Sequence, residues 1–207
     1  MEVTDGGDSR LSLLDWRRQT ASAYAAVRNS PSPRSGWEGW RAARDRLFAG
    51  HPQSPLESRE GFAGLPFAPY DERWRFTARL TETEPARRPV PTSDGTVLLD
   101  RVGRIDLPVG SLDVWWVAGY GGGLFLPFGD STNGESTYGG GRYLLDTIKG
   151  ADLGEQDGEL VVDFNFAYHP SCCYSSRWSC PLPAPENRLQ VRVEAGEQLG
   201  GSVGTRR

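Results

Sequence analysis

The chain has 207 residues, 37% of them hydrophobic and 24% charged, with a net charge of -4. That length supports one domain with a substantial core, alone or with a small appendage, and requires no disulfide scaffold. The acidic balance argues against nucleic acid, whose phosphates call for a basic surface; no apolar run reaches the roughly 18 residues of a membrane helix, so neither nucleic acid nor membrane is an expected partner.

In chain order, Met1 to Ser9 shows no basic stretch followed by an apolar one, so no secretory signal is read and a cytoplasmic address is expected. Residues 1–10 are polar and read as disordered. The pattern then turns helical over 11–27, where Leu13, Trp16, Ala23 and Val27 share a face and arginines occupy the other; Ser9 or Ser12 is a suitable cap. The prolines of 30–35 break this helix. A second helix is predicted over 37–48 from the spacing of Trp40, Ala43 and Leu47, with Gly50 and Pro52 ending it.

After Pro55 the periodicity changes. The 26 glycines and 15 prolines punctuate short apolar runs at 74–80, 96–99, 103–107, 112–118, 123–128, 142–147, 159–166 and 189–194. Several alternate with period two, and no helices separate them, which argues for antiparallel strands. The expected fold is mainly β with an N-terminal helical arm (α+β), the strands forming an antiparallel β sandwich or barrel. Residues 1–35 are the partly disordered arm with one helix, 36–199 a single β-rich domain, and 200–207 a mobile, glycine-rich tail.

The run from Leu160 to His169 places its polar residues oddly. Leu160, Val162, Phe164 and Phe166 make one apolar face; Val161, Asp163, Asn165 and Ala167 make the other. On a strand, Asp163 and Asn165 stand roughly 7 Å apart on one side. They serve either as a carboxylate and an amide facing a ligand cavity or as the solvated face of an edge strand.

The loop that follows, 170–187, holds four prolines and many aromatics and hydroxyls. Long ordered loops in compact domains are often functional. Glu186 and Asn187, behind Pro185, either join a site or cap backbone amides and pin the loop. His169, Cys172, Cys173 and Cys180 invite a zinc reading. No second Cys-x-x-Cys knuckle exists, however, and the only other histidine is His51, so no metal is expected. Cys172 and Cys180 read instead as small buried residues or as a reversible disulfide pair.

The glycine clusters at 119–123 and 139–141 match neither a phosphate loop nor a dinucleotide fingerprint, and no cofactor is expected. Arg142 is either a surface arginine or, if it points inward beside Asp163, an anion clamp. Lys149, the sole lysine among 23 basic residues, lies in a polar turn.

Three sets of residues also carry a family resemblance. They are Trp40 to Phe48 followed by Ser54-Pro55-Leu56; Phe128 to Gly134 with Thr137 to Leu144; and Asp163 to Cys172, Cys180-Pro181-Leu182-Pro183, Pro185 to Leu189 and Ala195-Gly196-Glu197. Together, over roughly 37–197, they resemble a bacterial family known as domain of unknown function 1684. In the family pattern asparagine often stands where this chain has His169, and Cys173 is not a fixed element, which weakens a role for either. The resemblance implies that Arg142, Asp163, Asn165, Tyr168, Cys172, Cys180, Glu186 and Asn187 form one constellation; it names no reaction.

Three functions follow. An enzyme acting on a small polar molecule would use Asp163 or Glu186 as general acid or base, Arg142 as anion clamp, and Asn165, Tyr168 and Asn187 as orienting donors. A binding module would hold a small polar or anionic ligand in the same pocket without chemistry. A structural protein would use the loop to plug one end of a β barrel. The enzyme needs both carboxylates and Arg142 around one hollow.

Overall fold

The computed structural model describes residues 5–92 and 95–200. The expectations for residues 1–4 and for 201–207 lie outside it. Two helices lead the chain: α1 (Asp5–Arg28), which begins earlier than the apolar pattern suggests, and α2 (Pro33–Gly50). Ser32 caps α2, its side chain accepting from the amide of Ser35, and Pro33 occupies the first turn, where its missing N–H costs nothing. Neither described helix is long and apolar enough to cross a membrane.

Eight strands follow: β1 (Arg75–Ala78), β2 (Arg87–Thr92), β3 (Gly95–Leu107), β4 (Gly110–Val117), β5 (Gly123–Phe128), β6 (Arg142–Asp146), β7 (Glu155–Gln156) and β8 (Glu159–Asp163). A five-stranded meander has the order β2-β3-β4-β5-β6, and a three-stranded sheet the order β1-β8-β7, with every pair antiparallel. The fold is thus mainly β with a helical N-terminal arm. The sheets enclose Ile105, Leu112, Val114, Leu126, Phe128, Leu144, Val162 and Phe164, all essentially solvent-free.

Single bridges stitch the two sheets together: Thr81 to Arg104 on one side and Tyr143 to Tyr168 on the other. The first lies beside a bulge in β3 at Gly103. A Cβ at Gly103 would sit 2.5 Å from the carbonyl of Thr81, so only glycine admits this seam.

Where the strands differ from the sequence reading, the causes are local. The runs 96–99 and 103–107 are one strand interrupted by the bulge. Strand β2 contains Pro89 and Pro91, which a strand tolerates at a sheet edge, where it has one neighbour only. The predicted strand 159–166 stops at Asp163, and a 3-10 turn covers Phe164–Phe166. Residues 189–194 form no strand, although Leu189 and Val193 are buried.

The helices pack over the outer side of the small sheet through Tyr24, Trp37, Trp40, Tyr70, Val161 and Phe166. Trp37 donates its indole N–H to the carbonyl of Asn165 at 2.8 Å. Helix α1 also crosses the Gly150 turn so closely that a Cβ there would meet the Cα of Ala21 at 2.9 Å.

Candidate functional site

The six residues expected to make a site do not gather in one place; Asp163 and Asn165 meet each other. Asp163 is 1% exposed. Its Oδ1 accepts from the backbone N (2.9 Å) and side-chain Nδ2 (2.7 Å) of Asn165, and its Oδ2 accepts from the Tyr70 hydroxyl at 3.4 Å, with Arg75 Nε at 3.9 Å. It caps the 3-10 turn that replaces the end of the expected strand. Asn165, bent back onto it, also binds both the backbone N and O of Asp71 at 2.9 Å. Burial raises the Asp163 carboxyl to about 6 despite these partners.

Glu186 belongs to another part of the molecule. It is exposed, beside Arg104, while its neighbour Asn187 is fully buried. The Asn187 amide accepts from Asp113 N at 3.0 Å and donates to Asp113 O at 2.8 Å and Pro127 O at 2.9 Å. It thereby fills the gap where β4 and β5 part. An acid–base pair of Asp163 and Glu186 therefore does not assemble: one is attached to the small sheet, the other beside the large one.

Arg142 is equally committed. It is 0% exposed, and its guanidinium donates to the carbonyls of Val193 (2.9 Å), Ala195 (2.5 Å) and Glu197 (3.3 Å) and to Asp130 Oδ2 (2.8 Å). One side chain thus satisfies the carbonyls of Val193, Ala195 and Glu197, while Leu189 N and Val191 O pair with the backbone of Gly129 and Ser131. Arg142 does not lie beside Asp163 and is no free anion clamp.

Of the expected ligand-binding residues, Tyr168 borders the cavity described next, and Arg142, Asn165 and Asn187 do not. This partly enclosed hollow of about 100 Å³ lies between the two helices, the Tyr143–Tyr168 seam and the start of the long loop. Two helical stripes face it at i, i+4, i+8 spacing: Trp16, Thr20 and Tyr24 on α1, and Trp40, Arg44 and Phe48 on α2. Tyr143, Lys149, Ser171, Tyr174 and Cys180 complete most of the wall.

The polar groups of this wall are unequally satisfied. The Arg44 guanidinium lies between the rings of Phe48 (4.6 Å) and Tyr168 (4.8 Å) and donates from Nη2 to Glu197 Oε2 at 3.1 Å. Burial opposes its charge, but the neighbouring Glu197 carboxylate prevails and holds it protonated. Its Nε is buried with no hydrogen-bond partner among the described residues. The same holds for the Tyr24 hydroxyl, 2% exposed, which the Trp40 indole approaches without a well-formed bond. Burial raises the Tyr24 hydroxyl above its usual range, so it stays a donor. At the edge, the exposed Lys149 Nζ lies 3.0 Å from Asp146 Oδ2.

Glu197 organises the wall behind Arg44. It is 1% exposed and also accepts from the His169 backbone N at 3.1 Å and from the Tyr174 hydroxyl. His169 Nε2 accepts from Tyr138 N at 3.2 Å, which places the imidazole proton on Nδ1, 3.7 Å from Glu197 Oε1. Burial lowers this histidine to about 4, so it is neutral at pH 7 and both nitrogens are occupied. Among the described residues no three His, Cys, Asp or Glu side chains gather so as to hold a metal ion.

Tyr24, Arg44 and Glu197 were not among the expected site residues. Arg44 could have been found: a charge four residues after Trp40 and four before Phe48 falls on the buried stripe of α2. Glu197 becomes significant only through contacts with residues distant in sequence.

Comparison with known proteins adds a family but no activity. Residues 60–198 match the family model described as protein of unknown function (DUF1684). Among solved structures, the chain is similar to the solution NMR structure of the uncharacterized protein from gene locus rrnAC0354 of Haloarcula marismortui. The identity is 38%, the match covers 80% of this chain and 93% of that one, and the TM-score is 0.57. No curated protein matches. The family model spans well over half of the chain and the solved relative exceeds 30% identity, so the chain belongs to the DUF1684 family, a family of unknown function.

Proposed function

We propose that this protein is a small-ligand binding module whose site is the cavity under the N-terminal helices. The observation that carries the reading is the pair of buried donors without acceptors, the Tyr24 hydroxyl and Arg44 Nε, on the wall of one hollow. A buried donor left unpaired costs about 1–3 kcal/mol, so a ligand acceptor atom recovers that energy on binding. The surrounding acceptors, Glu197 and Asp146, are already engaged by Arg44 and Lys149. The ligand must therefore bring an acceptor oxygen, a carboxylate or a carbonyl.

Size and wall chemistry narrow the class. A hollow of about 100 Å³ is smaller than the roughly 150 Å³ cavity that holds benzene, so a molecule of about five or six heavy atoms is the upper range. Nucleotides and flavins are too large. Trp16, Trp40, Phe48 and Tyr143 supply aromatic walls, which favour a flat or branched apolar body. A small carboxylic acid fits both demands. The enzyme reading loses its acid–base pair, because Asp163 and Glu186 lie apart and neither borders the cavity.

The test is a thermal-shift screen of short branched acids against their alcohols and hydrocarbons. An acid at about 100 times its Kd should raise Tm by roughly 5–10 °C, given about 2.7 kcal/mol of linkage and the size of the chain. Equal shifts from acids and hydrocarbons, or none from either, would refute the acceptor requirement.

A further inference from the structure

A second chemical feature shares one wall residue, Cys180, with the cavity, and is tested with the cavity empty. We propose that Cys172 and Cys180 form a reversible dithiol centre that reduces hydroperoxides, with Cys172 as the attacking sulfur and Cys180 as the resolving one.

Geometry carries this assignment. Both residues are free and half-buried, neither sealed in the core nor fully exposed. The Cys180 sulfur accepts from the Cys172 backbone N at 3.4 Å. That approach holds the Cys180 sulfur against the backbone of Cys172, next to its own thiol. The Tyr138 hydroxyl donates to the Cys172 sulfur at 3.6 Å. The turn that presents Cys172 is fixed by the bond from Cys173 N to Pro170 O at 2.9 Å, and the chain beyond Cys180 by the bond from the Tyr143 hydroxyl to Pro181 O at 2.7 Å. Both sulfurs are therefore held in place on separate anchors.

The two sulfurs are not equivalent. Of the two, the Cys172 sulfur receives the Tyr138 hydroxyl; the adjacent Cys180 thiol and this donor draw the Cys172 thiol below its usual range against burial, while Cys180 is driven above it. The thiolate is the nucleophile, so the roles follow from the hydrogen bonding. Cys173, a residue away, has no such donor, and burial raises it to about 12.

The chemistry balances in two steps. The Cys172 thiolate attacks the outer oxygen of a hydroperoxide; the S–O bond forms, the O–O bond breaks, and the departing alkoxide takes a proton from water. Cys172 is then a sulfenic acid. The Cys180 thiol next attacks the Cys172 sulfur, the S–S bond forms, and hydroxide leaves with the thiol proton as water. Two thiols lose two electrons and one hydroperoxide gains them. A small dithiol reductant restores the pair by exchange.

The test uses the reduced full-length chain without added cavity ligand, treated with one equivalent of hydrogen peroxide. Thiol titration should fall from the three cysteines of the chain to one. The intact mass should drop by two hydrogens, and dithiothreitol should reverse both. In Cys180→Ser, dimedone should label Cys172 alone. Thiol loss in Cys172→Ser should be about tenfold slower than in Cys173→Ser. Should Cys172→Ser fail to fold, the dimedone experiment decides by itself. Unchanged thiols, equal rates in Cys172→Ser and Cys173→Ser, or labelling at Cys173 would overturn the proposal. None of these outcomes depends on whether the cavity takes an acid.

Discussion

Arg44 of α2 meets Glu197, 153 positions later in the chain, through an Nη2 to Oε2 bond of 3.1 Å at which the helices are fastened to the far end of the β-sandwich. The pair is almost water-free, with side-chain exposures of 15% and 1%. The same carboxylate receives the His169 amide and the Tyr174 hydroxyl. One wall of the cavity is thus built from both ends of the described chain.

This pair should be costly to break from one side. Arg44→Ala leaves Glu197 buried and uncompensated, with an expected loss of about 3–5 kcal/mol in urea unfolding. Glu197→Gln should recover part of that loss when combined with Arg44→Ala, as a double-mutant cycle reads. Additive losses would show that the two residues do not interact.

Arg142 is expected to act on stability rather than affinity. Arg142→Lys cannot reproduce the planar fork that reaches Val193, Ala195 and Asp130 at once. Urea unfolding should show a loss of about 3 kcal/mol or more, because several carbonyls and the Asp130 carboxylate lose their donor. A variant of unchanged stability and weakened ligand binding would restore the anion clamp expected from sequence.

Two buried groups make opposite contributions to the pH dependence of stability. Asp163 has a folded pKa of about 6 against an ordinary value of 3.8. The native state therefore holds its proton more tightly, and its contribution falls as pH rises from about 4 to 6, by up to roughly 3 kcal/mol. His169 has a folded value of about 4 against 6.5. Its contribution is present above 6.5 and lost as pH falls toward 4. The two offset one another in this window. Asp163→Asn should expose the acid lability of His169, and His169→Asn should leave a protein more stable at pH 5 than at pH 7. Parallel pH profiles for wild type and both variants, measured by urea unfolding, would contradict these assignments.

Much of the architecture was legible because its signals are local. A period-two run marks β4 and a short apolar run between glycines marks β5, and the serine–proline break between the helices is a matter of backbone chemistry. The site was legible only in part. Asp163 and Asn165 read as neighbours on a strand face; Asp163 instead caps a tight turn, a choice between two local structures that the same residues allow. Arg142 and Asn187 looked like ligand groups because polar side chains within apolar runs need partners. Their partners are backbone carbonyls and amides brought by the fold from 50 or more residues away, and no spacing rule encodes those. Arg44 and Tyr24 follow helical periodicity and are the part of the cavity a sequence can show.

The central claim is that the unpaired Tyr24 hydroxyl donates to an acceptor atom of a ligand. Titration calorimetry of the best acid against wild type and Tyr24→Phe tests it most directly. The two side chains match in shape, so the empty variant should be as stable as wild type or slightly more so, having lost a buried unpaired group. Its affinity for the acid should fall by about 10- to 150-fold, the equivalent of one hydrogen bond to a charged acceptor. An unchanged Kd in Tyr24→Phe, at equal stability, would contradict the account.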